Sequence, residues 1–319
     1  MTCRIAFVLF PGFQQLDLAG PMAVFEVARL ERPGSYQWRL VASTPPTARS
    51  SAGVEWPVQG LPRSLGELDL VMVIGGDGVD AACQDATLMA WLRRAARSGA
   101  RMASICSGSL VLAAAGLLDG RSATTHWSRG RQFAQDYPRV QLEPDRIYVR
   151  EPAQRGTGLP EVWTSAGMTA GIDLCLALLA HDLGEDVARE AARQLVVERR
   201  RPGGQSQFSP LQDLQPPDGR FAPLLDAVRN DLAADHSVEA LAARACMSPR
   251  HFARCFRAET GTTPAHAVER LRVEAARAAL EAGATSVLRV AQTCGFGQPE
   301  RMRRAFVRLT GRPPTAFKP

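Results

Sequence analysis

The chain predicts an α/β parallel-sheet sandwich followed by an all-α domain with two helix-turn-helix units, and three observations carry that prediction. Up to about residue 190, short β-rich apolar runs alternate with helical segments, the pattern of a parallel sheet covered on both faces. From Glu198 the stretch ERRRPGGQSQFSPLQDLQPPDGR loses the pattern and reads as a linker. Beyond Phe221 helical periodicity persists, and one passage occurs twice. It reads VEALAARACMSPRHFARCFRAETGTTP from Val238 and VLRVAQTCGFGQPERMRRAFVRLTGRPP from Val287. Val238 and Ala242 match Val287 and Ala291, while Phe252, Phe256, Thr260, Gly261 and Pro264 match Met302, Phe306, Thr310, Gly311 and Pro314 one residue further on. The expected division is an α/β domain over 1–195, a linker over 196–220 and an all-α domain with the two repeats over 221–319.

In the first domain Ile5 to Phe10 reads as a buried strand, Pro21 to Leu30 as a helix and Trp38 to Ala42 as a second strand. Leu68 to Ile74 is a continuous apolar run that ends in Gly75 and Gly76, with a helix from about Asp85 to Ser98 after it. Met102 to Ile105 is another strand and runs directly into a helix from Ser107. Val162 to Thr164 leads through Ser165, Ala166 and Gly167 into a long helix ending near Leu183. A site in such a fold belongs at the carboxyl ends of the strands.

Charge separates the two halves. Residues 221–319 hold 15 basic and 9 acidic side chains, so they carry the whole net charge of +6 and the residues before them are balanced. Such asymmetry directs the tail alone toward a polyanion. The basic residues are arginines except for Lys318, which suits bidentate contacts to phosphate and guanine and equally suits a genome rich in G and C. Seven cysteines without a C-x-x-C pair argue against a disulfide framework or a zinc site and fit a reducing cytoplasm. No metal and no cofactor is expected. The apolar run at the amino end is too short for a signal peptide, and no stretch approaches the roughly 20 apolar residues of a membrane span.

In the first repeat Ser237 caps a helix to Ala245, Cys246 and Met247 make the turn, and Ser248 caps a second helix with Pro249 at its first position. Phe252 and Phe256 face inward, which leaves Arg250, Ala253, Arg254 and Arg257 on the face that would enter a major groove. His251 flanks that face, and Glu239 and Glu259 read as surface charges. In the second repeat Gly297 and Gln298 stand at the cap, Met302 and Phe306 face inward, and Glu300, Arg303 and Arg304 face outward. Arg304 takes the place of Arg254, and Glu300 could accept from cytosine N4. The alternative is that outward arginines only solvate a helix. Ala265 to Leu280 would be the rigid helix that spaces the two readers.

These residues resemble the DNA-binding domain of the AraC/XylS family of bacterial transcription regulators, most specifically in CGFGQPERMRRAFVRLTGRPPTAF from Cys294. The resemblance covers about 95 residues and implies binding to promoter double-stranded DNA, with activation through RNA polymerase. Pro299 departs from the family pattern in the first turn of the second reader.

The informative passage of the first domain is ASICSGSLVLAAAGLLDGRSATTHW, where a strand turns sharply into a helix at Cys106, Ser107 and Gly108. An elbow of this kind exposes the residue at its tip beside a helix N-terminus, where the dipole can lower a thiol pKa. Asp17 and His126 are candidates to orient or activate Cys106, and the N–H groups of Gly76 and Ser107 could form an oxyanion pocket. Cys106 reads in four ways: a small residue kept at a tight turn, a wall of a ligand pocket, a nucleophile, or a thiol redox sensor. Arg199 to Arg201 form either a phosphate-binding arm or a solvated linker.

The pattern resembles the DJ-1/PfpI branch of the class I glutamine amidotransferase-like, flavodoxin-like fold, in the version found at the front of GlxA-like AraC regulators. The resemblance covers roughly residues 3–190, and RPGGQSQF of the linker also fits that group. It equates Cys106 with the elbow cysteine and Asp17 with an early carboxylate. Peptidase relatives place histidine directly after the cysteine, where Ser107 stands here, and TTHW around His126 is a regulator-type signature. The resemblance implies a homodimeric regulator whose effector, a small and amine-bearing metabolite, binds around Asp17, Gly75, Gly76, Cys106, Ser107 and His126. The rival is a cysteine-dependent hydrolase or hydratase with a nucleic-acid anchor.

Overall fold

Cys3–Val8 forms β1, and its residues Ile5 to Val8 are at most 1% exposed. A strand buried on both faces has to lie inside a covered sheet. The computed structural model describes residues 2–154, 159–197, 201, 219–281, 283–310 and 312–317. Two units divide the chain, Met1–Gly203 and Gly204–Pro319.

The remaining strands of the first unit are β2 (Tyr36–Ala42), β3 (Thr47–Arg49), β4 (Glu55–Pro57), β5 (Gln59–Gly60), β6 (Leu70–Val73), β7 (Arg101–Ile105), β8 (Ser122–Ala123), β9 (Gln141–Leu142), β10 (Tyr148–Glu151) and β11 (Val162–Ser165). Seven of them form one sheet in the order β10-β11-β7-β6-β1-β2-β5. Every pairing in it is parallel except β10 with β11 at one edge. Strand order runs outward in opposite directions from β1, through β2 on one side and β6 on the other. A crevice opens outside the carboxyl ends of a parallel sheet at such a reversal, and the ends of β1, β6 and β7 lead into it.

Helices α1 (Gln15–Glu31), α6 (Thr169–Leu183) and α7 (Glu185–Gln194) pack on one another. So do α2 (Val79–Gln84), α3 (Ala86–Arg97) and α4 (Gly108–Ala114), while α5 (Gly130–Asp136) follows the loop after β8. The expectation of a helix from Pro21 is corrected by the structure. The Gln14 side chain accepts from Leu16 N at 3.4 Å and starts α1 six residues earlier, leaving Pro21 inside it. Gly20 lets α1 and α6 cross closely, since a Cβ there would meet Ile172 Cγ1 at 3.0 Å. This early start puts Asp17 in the first turn of α1, at the crevice.

The second unit is all helical among the described residues: α8 (Ala222–Asn230), α9 (Val238–Arg244), α10 (Pro249–Thr260), α11 (Pro264–Glu281), α12 (Val287–Thr293), α13 (Pro299–Thr310) and a short 3-10 turn over Pro314–Phe317. The repeat is structural. Ala242 and Ala291, Phe252 and Met302, and Phe256 and Phe306 are all at most 1% exposed. Thr260 Oγ1 donates to Phe256 O and Thr310 Oγ1 to Phe306 O, each at 2.8 Å. Cys246 and Gly295 occupy the same turn position, with φ of +54° and +75°.

Two apolar clusters form the core, one around Phe221, Phe252 and Phe256 and one around Phe296, Met302 and Phe306. Helix α11 serves both, contributing Ala267, Val268 and Leu271 to the first and Val273, Ala276 and Leu280 to the second. The helix expected for Ala265 to Leu280 is thus present, as Pro264–Glu281. Pro299 opens α13 as Pro249 opens α10. A proline at that position loses no helical hydrogen bond, so the departure leaves the outward face of α13 intact. Glu259 is more than a surface charge, because it accepts from Phe221 N at 3.2 Å and pairs with Arg220 at 3.3 Å.

Candidate functional site

Cys106 sits at the tip of the turn from β7 into α4 with φ +59°. Its N–H donates to Ser165 O at 3.0 Å, and its carbonyl accepts from Ser109 Oγ and Thr125 Oγ1, each at 3.3 Å. Neighbouring glycines make room for the elbow. A Cβ on Gly75 would lie 2.7 Å from Cys106 Cβ, and one on Gly167 would lie 2.6 Å from Cys106 Cα.

Asp17 is fully buried beside the thiol. One carboxylate oxygen accepts from Met168 N at 2.6 Å, and the other is buried with no hydrogen-bond partner among the described residues. Burial raises its pKa from 3.8 to about 6, against the smaller opposing effects of the Met168 N–H and the Cys106 thiol. The thiol itself is pushed well above its ordinary value, first by burial and then by the charge of Asp17. This differs from the expected activation by the helix dipole. Helix α4 is only seven residues long, the sulfur is 8% exposed with its residue, and an adjacent carboxylate repels a thiolate.

The oxyanion pocket expected from Gly76 and Ser107 does not form as such. Gly76 N donates to Ser107 Oγ at 2.9 Å, and that hydroxyl donates on to Gly76 O at 3.1 Å. Ser107 staples the two loops, and its own N–H faces the Cys106 sulfur. Gly75 is held by its carbonyl, which accepts from Gln14 N at 2.7 Å.

His126 lies one residue beyond Thr125, which reaches the elbow. Its Nδ1 accepts from Ser128 N at 3.4 Å and lies 2.8 Å from Ser128 Oγ, so the neutral ring carries its proton on Nε2. Burial and then the Arg129 charge lower its pKa, which keeps it neutral. His126 is half-buried, with its ring partnered by Ser128 and packed at 5.5 Å against Trp127. Leu16, Trp127 and Met168, each next to or on this constellation in sequence, expose 42%, 57% and 37% of their surfaces.

On the reading helices Arg250, Arg254 and Arg257 are exposed while Phe252 and Phe256 are buried, as the periodicity predicts. Arg254 lies 3.1 Å from His251 Nδ1. Glu300, Arg303 and Arg304 are likewise exposed. Both Glu300 oxygens accept from Arg303 at 2.9 Å, and one also accepts from Arg304 at 3.3 Å. These hydrogen bonds hold the Glu300 carboxyl down at about 2. Glu300 therefore orients both arginines, and a contact to cytosine would require it to exchange them.

The DJ-1/PfpI family matches residues 3–181, and a family described as a helix-turn-helix domain matches residues 241–319. The HTH-type transcriptional regulator CdhR of Pseudomonas aeruginosa is 30% identical over 94% of this chain and 87% of its own length. The chain belongs to the DJ-1/PfpI-containing, AraC-type transcription regulators. An isonitrile hydratase of Pseudomonas putida is 35% identical over 61% of this chain and 78% of its own. A solved ThiJ/PfpI family protein from Pseudomonas syringae superposes with a TM-score of 0.55 at 27% identity, over 72% of this chain and 87% of that one.

The relatives spanning both halves are named as regulators, in keeping with a chain that binds DNA and is not an enzyme. No helix among the described residues is long and apolar enough to cross a membrane. In this regulator the site also uses residues that spacing alone did not single out. Gly167 and Met168 form a second tight loop, with φ of +87° and +52°, that covers Cys106 and holds Asp17. The signal for it was the small-residue run Ser165, Ala166 and Gly167 before a helix. Arg201 is half-buried and already paired. It pairs with buried Asp173 on α6 at 2.7 Å and donates to Thr169 Oγ1 at 2.8 Å, one residue from Met168. Arg199 and Arg200 lie outside the described residues.

Proposed function

We propose that this regulator responds to a small amine- or quaternary ammonium-bearing metabolite bound around Asp17, Gly75, Gly76, Cys106, Ser107 and His126. The observation that carries the reading is Asp17, whose second oxygen is buried and unpartnered at the crevice. A carboxylate kept in that state gains when a cation joins it. Exposed Trp127 supports the same chemistry, since an aromatic face attracts ammonium groups.

In this reading residues 1–195 also carry the contact of a homodimer, and residues 221–319 place Arg250, Arg254, Arg257, Glu300, Arg303 and Arg304 on promoter DNA. Effector binding biases the arrangement of the readers and activates transcription with RNA polymerase. A cytoplasmic setting is supported by the seven cysteines, all of which are free thiols. The likeness to a hydratase favours chemistry at Cys106 as the second reading. Against it stand the protonated thiol and the absence of a base at Ser107.

Thermal denaturation of the full chain with amines, amino acids and quaternary ammonium compounds tests the first reading. A binding class raises the midpoint by mass action, and Asp17→Asn abolishes the rise. An effector that binds equally well to Asp17→Asn would remove the proposal. Alkylation rate against pH tests the second, for which Cys106 would have to react as a thiolate near neutrality.

A further inference from the structure

Resting on the assignment of α13 as a DNA-reading helix, a cavity beside it goes further. About 340 Å³ in size, it lies between α11 and α13 and is lined in part by Glu269, Arg272, Arg301, Arg304 and Arg308. Four arginines thus face one carboxylate. Arg301, Arg304 and Arg308 follow one another at three and four residues, so they form one stripe of α13. Arg304 at its rim belongs also to the outward face.

The pocket is built rather than incidental. Arg272 is fixed by two carbonyls, donating from Nε to Leu232 O at 3.0 Å and from Nη2 to Ala234 O at 3.2 Å. Gly295 closes over it, since a Cβ there would lie 2.6 Å from Arg272 Nε. Neither carbonyl neutralises the guanidinium. Burial first, and then the charge of Arg301, lower the Arg272 pKa, against a smaller opposing effect of Asp235. Arg301 is exposed and has no hydrogen bond or ion pair among the described residues. Glu269 pairs with Arg308 and also lies 4.0 Å from His266 Nδ1, and Glu300 answers Arg303 and Arg304 on the other flank.

We propose that this cavity seats a phosphate of the DNA backbone, held by Arg272, Arg301 and Arg308, while Arg303 and Arg304 reach the bases. The second repeat then grips one strand on one side of α13 and reads on the other. A phosphate contact carries no sequence information, whereas a base contact does. That difference makes the assignment measurable.

The full chain is titrated onto a duplex obtained by in vitro selection and onto a scrambled duplex of equal length, at several salt concentrations. For Arg301→Gln the slope of log K against log salt becomes shallower by about 0.9, and affinity at 0.15 M salt falls roughly fivefold on both duplexes. Glu269→Gln removes the carboxylate and frees Arg308, so it tightens both. Loss on the selected duplex alone would make Arg301 a base reader and overturn the proposal. So would unchanged slopes in both variants, and so would inorganic phosphate binding the wild type while Arg301→Gln keeps full DNA affinity. If Arg254→Ala still weakens the selected duplex in those cases, the DNA-reading assignment stands without the phosphate seat. If the wild type binds neither duplex at low salt, that assignment fails as well.

Discussion

Replacing Asp17 by asparagine should stabilise the protein at neutral pH. The carboxyl is fully buried, and its pKa rises from 3.8 to about 6 because burial penalises the charged form. With the folded-state value above the unfolded one, the folded chain binds more protons between them, so stability falls as pH rises from about 4 to about 6. A shift of that size corresponds to about 3 kcal/mol withheld at pH 7. Asparagine can still accept from Met168 N, and its side chain carries no charge to desolvate. Asp17→Asn should therefore gain up to about 3 kcal/mol at pH 7, and the gain should shrink toward zero near pH 4. Urea unfolding of both proteins at half-unit steps from pH 4 to 8, followed by tryptophan fluorescence, reads the difference directly. A variant less stable than wild type at pH 7, or a gap that stays constant across the range, would refute the reasoning.

Three further perturbations test the framework. Gly167→Ala places a methyl against Cys106 at a φ of +87°, so it should cost about 3 kcal/mol or more in denaturant unfolding and abolish effector binding. Arg101 forks onto Asp182 at 2.6 and 2.7 Å, and Tyr36 Oη donates to the same carboxylate at 3.1 Å. Arg101→Ala leaves that half-buried group with less compensation and should lower stability by about 2–3 kcal/mol, with the effector affinity of what remains folded unchanged. Cys246→Gly relieves a non-glycine residue at φ +54°, where the second repeat already uses Gly295. It should raise the thermal midpoint of the second unit by a gain of about 0.5–1 kcal/mol, and a lower midpoint would show that the Cys246 side chain packs favourably.

Several parts of the site were legible before any coordinates. The alternation of apolar runs and helices gave the parallel sheet, and Gly75, Gly76 and Cys106 marked the strand ends because only sharp turns place such residues after buried strands. Phe252, Phe256, Met302 and Phe306 fixed the outward faces of α10 and α13 by spacing alone. Other parts were not legible for definite reasons. Asp17 and Met168 are 151 residues apart, and their hydrogen bond exists only because α1 crosses α6 at Gly20. The Gly76 N–H could not be known to be spent on Ser107, since that bond joins two loops across 31 residues. A helix N-terminus suggested a low thiol pKa, and only burial and the neighbouring carboxylate reversed the sign.

The sequence by itself determined what kind of molecule this is. Short apolar runs alternating with helical segments, then unbroken helical periodicity, a duplicated arginine-rich helical unit and an uneven charge are all local or compositional, so they survive without a structure. Only the tertiary structure decided the state of the groups that act. Whether Cys106 is a thiol or a thiolate, whether Ser107 is a staple or an oxyanion donor, and which flank of α13 bears the arginine-lined cavity depend on distances between segments far apart in the chain. Burial and like-charge proximity set those states, and both arise only when the chain is folded.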